Sequence, residues 1–140
     1  MDASAQKPKR SSPETLRIRS VSPAFTVDDL QASLAWYRDV VGFIVEEEWK
    51  NGDAVMGVSL LAGSARLYLN QDDGKKGRDR KKGEGFRLHL ETAQNVDELA
   101  AAIQKRGGKL DSAPADMPWG GRAFRLTDPD GFKLSIASES

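Results

Sequence analysis

Apolar positions along this chain recur with two periods, one helical and one of strand type, and the two alternate twice in the same order. Within Asp28 to Phe43, DDLQASLAWYRDVVGF, the residues Leu30, Leu34, Tyr37 and Val41 fall at helical spacing and predict one apolar stripe. Asp28 is placed to cap the first turn, with Gln31 three residues on able to reach back, and Gly42 offers the left-handed conformation that ends a helix. A second helix is predicted from Asn95 to Gly107, with Asn95 as cap, Glu98 at the third position, Val96, Leu99, Ala100 and Ile103 as the stripe, and Gly107 as the stop.

Strand patterns surround both helices. LRIRSVSPAF, Leu16 to Phe25, alternates as a strand with Ile18, Val21 and Phe25 directed to the core, although Pro23 argues against a central, fully paired position. After the first helix, FIVEEEW, VMGVSLLAG and ARLYLN read as three strands, with turns at 51–53 and at Ala62 to Ser64. FRLHLET opens the second half as a strand, and after its helix come GGKLDSA, RAFRLTD and FKLSIAS. DPDG at 128–131 is a turn with Asp, Pro and Gly at the positions a turn favours. VSLLAGSARLYLN and FRLTDPDGFKLSIA superpose so that Leu67, Tyr68 and Leu69 fall on Leu134, Ser135 and Ile136. The expected fold is α+β, two βαβββ modules at 16–70 and 85–138. Trp36 and Tyr37 are expected to be core or dimer contacts.

Composition narrows this without changing it. The 140 residues make about one domain, expected at 15–140 behind a flexible tail at 1–14. Cysteine is absent, which removes disulfides and thiolate chemistry and fits a cytoplasmic location. Basic and acidic residues balance at 21 each, so no global field favours nucleic acid or an anionic membrane. No run is long and apolar enough to span a membrane, and the N-terminal stretch lacks the apolar centre of a secretory signal. Residues 71–85 carry six basic and four acidic residues, four glycines and no apolar side chain. That segment, with the linker itself set at 71–84, reads as a solvated connector and not as an anion clamp, because no phosphate-cradling glycine motif opens a helix there.

With DDLQASLAWYRDVVGF in the first module and WGGRAFRLTDPDGFKLSI in the second, the repeat resembles the vicinal oxygen chelate superfamily. That superfamily includes glyoxalase I, extradiol dioxygenases and bleomycin-resistance proteins, and the resemblance spans about residues 16–138. It implies that each module curls its sheet into a half-barrel cup, that paired cups enclose a ligand, and that the chain forms a homodimer. In the metalloenzymes of the family, the first and fourth strands of each module each supply one metal ligand, normally His or Glu. Those places fall here on Ser22, Tyr68, Arg87 and Ser135. Ser and Tyr are poor neutral donors to a divalent ion, and the guanidinium of Arg87 would repel it. One imidazole, His89, falls short of the three or four ligands needed. The resemblance therefore points to the metal-free, bleomycin-resistance-like branch, with no cofactor.

Once Leu88 and Leu90 are assigned to the helix side, alternation puts Arg87, His89 and Glu91 on the cavity face, with Arg66, Tyr68 and Asn70, Ser20, Ser22 and Ala24, and Lys133 and Ser135. Trp49 and Trp119 at strand ends are placed to lid a pocket or stack on a flat ligand. The candidate ligand-binding set is Ser22, Arg66, Tyr68, Arg87, His89, Trp119 and Ser135, and the candidate acid–base pair is His89 with Glu91. A competing assignment makes His89 a half-buried polar residue paired across strands, and for Arg66 and Arg87 recognition of a carboxylate or phosphate through the guanidinium fork stands against an ion pair with Glu91 or an interface carboxylate. Glu46, Glu47 and Glu48 are consecutive on a strand, so at least one is simply solvated. Three functions follow. The first is a metal-independent dimer that binds a small anionic or aromatic molecule, cationic bleomycin being a poor match for a neutral-to-basic cup. The second is an enzyme, either a glyoxalase-like lyase or dioxygenase with a divalent metal or a cofactor-free isomerase or hydrolase using His89 and Glu91. The third is a protein-interaction module with a filled cup.

Overall fold

The computed structural model describes residues 15–139; the tail expected at 1–14 lies outside them. Its elements are β1 (Ala24–Val27), α1 (Leu30–Ala35) continued by a π-helical segment (Trp36–Val41), β2 (Ile44–Asn51), β3 (Ala54–Ala62), β4 (Ala65–Gln71), β5 (Arg87–Thr92), α2 (Val96–Lys105), β6 (Ser112–Asp116), β7 (Arg122–Thr127) and β8 (Lys133–Ser138). They form two four-stranded sheets with the same connectivity, β1-β4-β3-β2 and β5-β8-β7-β6. In each, the first strand runs parallel to the fourth and the other pairs are antiparallel. Ala24 lies beside Tyr68 and His89 beside Ser135, so the two halves repeat in register as the superposition of their last strands requires.

The first strand is shorter than its alternation suggests. Its register sets Ala24 against Tyr68, which puts Val21 level with Ala65, the first residue of β4. Residues before Val21 therefore run past the end of their partner strand and have no ladder to join. Leu16 and Ile18 are accordingly exposed, at 84% and 62%; Val21, ahead of β1, is 87% exposed, and only Phe25 of the expected core trio is buried. Ser20 and Ser22 precede the strand and belong to no sheet face.

The first helix begins one residue later than expected. Asp29, not Asp28, is the cap, its carboxylate accepting from Ala32 N at 3.2 Å. Gln71, arriving from β4, takes the part expected of Gln31: its Oε1 accepts from Leu30 N at 2.9 Å and its Nε2 donates to Asp28 O at 2.8 Å. The helix then widens, and both Gly42 N and Phe43 N donate to Tyr37 O. Gly42 ends it at φ 114°, in the left-handed region expected. In α2, Asn95 accepts from Glu98 N at 3.0 Å, Val96, Ala100 and Ile103 are buried, and Gly107 and Gly108 close the last turn, which delays β6 to Ser112.

One continuous apolar core runs through both modules. Phe25 of β1 stacks flat on Phe132 at 4.1 Å and meets Phe86 edge-on at 5.8 Å. The Tyr37 hydroxyl crosses to Asp128, and Arg106 at the end of α2 donates to the Val40 and Val41 carbonyls that the π-helical segment leaves open. The basic segment after β4 is exposed at most of its residues but is anchored through Asp72 and Lys82. Asp72 is buried and accepts from Lys82 at 2.8 Å and Arg80 at 2.7 Å, while Lys82 also donates to Asp28 at 2.6 Å. Paired charges, not apolar side chains, carry this burial.

Candidate functional site

Each sheet buries one face under its helix and leaves the other open. On the first sheet the core side holds Val58, Leu60, Leu67 and Leu69, and the open side is organised around Glu46. A bulge between Val45 and Glu47 turns Glu46 onto that face, where Arg66 grips it through both nitrogens of its fork at 2.8 and 2.7 Å. Ser59 donates to the same carboxylate at 2.9 Å. The bonds from Arg66 and then Ser59 hold the Glu46 carboxyl below its ordinary range, and Glu46 in turn raises the Arg66 guanidinium. Tyr68 sits opposite Ser59, with the Trp49 ring tilted toward it at 6.0 Å. Gly57 permits this: a Cβ there would stand 3.2 Å from Trp49 Cε3 and 2.8 Å from Asn70 Oδ1.

On the second sheet, Leu88 and Leu90 pack on the core while Arg87, His89 and Glu91 share the open face. Their partners on β8 are Lys133, Ser135 and Ala137, and Arg125 of β7 lies opposite Ser135. Ser135 is buried, and its hydroxyl accepts from Arg87 Nη1 at 3.1 Å, the same nitrogen reaching Leu134 O at 3.3 Å. His89 and Glu91 are exposed and share no hydrogen bond among the described residues. His89 thus lies on the surface without the cross-strand partner that was one of its assignments. Neither arginine pairs with Glu91, since Arg66 takes Glu46 and Arg87 takes Ser135.

The four places where metal-using relatives of the resembled superfamily carry ligands are not equipped for a divalent ion. Two of them, Arg87 and Ser135, are bonded to one another, and a guanidinium, itself cationic, offers no lone pair to a metal ion. Ser22 is partly buried ahead of β1, and Tyr68 lies beside the Trp49 ring. Among the described residues no group of three His, Asp or Glu side chains could hold a metal.

A groove of about 820 Å³ lies between the modules, bounded by Phe43, Ala65, His89, Glu91, Leu99 and Arg106. Of the candidate ligand-binding residues only His89 lines it; Ser22, Arg66, Tyr68, Arg87, Trp119 and Ser135 do not. Trp119 stands 66% exposed in the β6–β7 loop. Arg66 and Tyr68 thus share one open face, Arg87, His89 and Ser135 the other, and no hydrogen bond, ion pair or ring contact among the described residues joins the two sets. Three members of these faces, Glu46, Ser59 and Arg125, are not among the residues expected there from alternation. A bulge cannot be read from alternation, and the other two are placed by cross-strand register.

The sequence model of the Glyoxalase/Bleomycin resistance protein/Dioxygenase superfamily matches residues 19–136. The chain belongs to this superfamily. Solved structures agree with its fold. A glyoxalase/bleomycin resistance protein/dioxygenase superfamily member from Sphaerobacter thermophilus is 26% identical, with 89% of this chain and 100% of that one covered at a TM-score of 0.67. TioX from Micromonospora sp. ML1 is 16% identical over 86% of this chain and 96% of its own, at a TM-score of 0.68. A lactoylglutathione lyase from Agrobacterium tumefaciens is 18% identical over 86% and 94%, at a TM-score of 0.63. Among curated proteins, none matches. The superfamily's two-module architecture is the one present here. No helix among the described residues is long and apolar enough to cross a membrane.

Proposed function

We propose that this superfamily member is a metal-independent binding protein for a small organic molecule, anionic or aromatic, which it takes up on the open sheet faces as a cytoplasmic homodimer. The observation that carries the proposal is the Arg87–Ser135 contact, a guanidinium bonded across two of the four positions where metal-using relatives carry ligands. The Trp49–Tyr68 pair supports an aromatic ligand, since two rings on an otherwise polar face offer a stacking platform. Pairing of two chains is supported by the separation of the two open faces within one chain and by the exposed Leu16, Ile18, Val21 and Ile44. In this reading Ser22, Arg66, Tyr68, Arg87, His89, Trp119 and Ser135 contribute to ligand contact, and residues 71–84 connect modules at 16–70 and 85–138 in a single domain.

The test is elemental analysis of protein purified without chelator, combined with a small-molecule screen read by tryptophan fluorescence and light scattering. The expected result is a dimer, substoichiometric zinc, iron, nickel and manganese, and saturable quenching by acidic aromatic compounds. Stoichiometric metal would overturn the proposal in favour of a glyoxalase-like lyase or dioxygenase. A second reading has its own support, because the groove between the modules is lined by His89 and Glu91: a cofactor-free isomerase or hydrolase using that pair. It requires turnover that disappears in His89→Ala while ligand binding persists.

A further inference from the structure

The open face of the second sheet gathers positive charge that the chain does not neutralise. Register sets Arg87 directly beside Lys133 and places Arg125 opposite Ser135, next to Lys133 along β8. Three cationic residues on three adjacent strands thus share the face that carries Ser135. Like charges directly opposed across strands are destabilising. Several arginines elsewhere meet carboxylates, Arg38 with Asp39, Arg66 with Glu46, Arg78 with Asp28, Arg80 with Asp72, and Arg122 with Asp97 and Asp116, while Arg106 donates to backbone carbonyls. Lys133 and Arg125 have no ion-pair partner among the described residues, and the only partners of Arg87 there are the neutral Ser135 hydroxyl and Leu134 carbonyl. The carboxylates nearest in register do not relieve the cluster: Asp111 is bonded to the Thr127 hydroxyl, and Glu91 lies opposite Ala137. The Ser135 hydroxyl accepts from Arg87 and donates to nothing among the described residues, which leaves its proton available.

We propose that the open face of β5, β8 and β7 is an oxyanion-binding site, in which Arg87, Lys133 and Arg125, set around the Ser135 hydroxyl, hold the carboxylate or phosphate of an organic acid. Arg87 and Arg125 supply planar forks of N–H donors, Lys133 a point charge, and Ser135 an O–H donor from the floor of the face. The bound oxyanion removes the Arg87–Lys133 repulsion, so the site is most stable when filled. This deepens the ligand-binding proposal above by naming the group recognised and its place.

The test is an amide NMR titration of the full chain at low salt with inorganic phosphate, benzoate and neutral benzyl alcohol, alongside melting curves for the wild type, Arg125→Gln and Lys133→Gln. Saturable shifts at Arg125, Leu134 and Ser135 are expected with phosphate or benzoate, and the tighter of the two identifies the acid class. Arg125→Gln is expected to weaken that binding about ten- to a hundredfold, the loss of one charged hydrogen bond. Without anion, Lys133→Gln is expected to melt above the wild type and to gain nothing from phosphate. Shifts confined to Lys75 and Lys81, unchanged affinity in Arg125→Gln, or a lower melting point in Lys133→Gln with its phosphate response intact would each overturn the site. Benzyl alcohol shifting Trp49 and Tyr68 while neither anion binds would refute the oxyanion site and leave the broader ligand-binding proposal standing. Anion binding in a protein that takes up no organic compound would do the reverse.

Discussion

The Tyr37 hydroxyl donates to Asp128 at 2.7 Å across 91 residues of sequence, from the first module's helix to the second module's turn, and both side chains are buried. Asp128 meanwhile accepts from Asp130 N and Phe132 N, so one carboxylate both shapes its own turn and ties that turn to the other module. Burial raises the Asp128 carboxyl above its ordinary value, partly offset by the Tyr37 bond and the two amides, and burial also raises the Tyr37 phenol.

Tyr37→Phe leaves one oxygen of Asp128 without its donor in a buried site, and unfolding free energy is expected to fall by about 1–3 kcal/mol. The sign with pH is fixed. A carboxyl whose folded value lies above its unfolded value costs stability as pH rises through that window, and removing the Tyr37 donor lifts the folded value further. The penalty of Tyr37→Phe should therefore be larger at neutral pH than near the ordinary carboxyl pKa, as urea midpoints at the two conditions will show. An equal penalty at both would mean that Asp128 is not charged when bonded to Tyr37.

Asp72 behaves in the opposite sense. Hydrogen bonds from Lys82 first, then Gly74 N, hold its carboxyl well below the ordinary range. Its contribution to stability is complete above the unfolded carboxyl pKa and is lost as pH falls through the folded value. Lys82 is pulled down by burial, but its bonds to Asp28 and Asp72 prevail and its value is raised; that contribution is lost only as pH rises through the folded lysine value. Lys82→Met is expected to lower the urea midpoint at neutral pH and to flatten both the acid and the alkaline limbs of the stability profile.

Phe25→Ala removes the ring stacked between the modules and is expected to cost about 3–5 kcal/mol. Because one core runs through both modules, unfolding should remain a single transition. Fluorescence and far-ultraviolet dichroism that separate in this variant would show that the modules can melt independently.

Gly57→Ala introduces a methyl group where Trp49 Cε3 and Asn70 Oδ1 already lie. Trp49 is expected to move off Tyr68, becoming more accessible to acrylamide quenching, and an aromatic ligand should bind more weakly while the second sheet's response to phosphate is unaffected. Unchanged quenching would place the Trp49 ring elsewhere than over the first sheet.

The repeat was legible because it is written in periodicity: two helical stripes, each capped and stopped, and paired strand patterns whose superposition matches Tyr68 with Ser135. The face shared by Arg87, His89 and Glu91 could be read for the same reason, since strand alternation has no freedom once Leu88 and Leu90 face a helix. Features that depend on partners could not be read. Alternation in LRIRSVSPAF continues upstream of Val21, but β4 does not. Glu46 reaches the open face through a bulge, which inserts a residue without altering the pattern on either side. Arg125 becomes part of a cluster only through the register of β7 on β8. The segment after β4 conceals its buried Asp72 because composition counts charges without showing which are paired.

The amide of Leu30 is satisfied by a side chain 41 residues downstream, and this bears on the order of assembly. A chain emerging from the ribosome that has not yet delivered Gln71 has a first helix whose leading turn lacks one of its acceptors, so ordering of that turn must wait for closure of a long loop. Replacing Gln71 should therefore slow refolding as well as lower stability, with the amide of Leu30 among the last in the first module to gain protection from exchange.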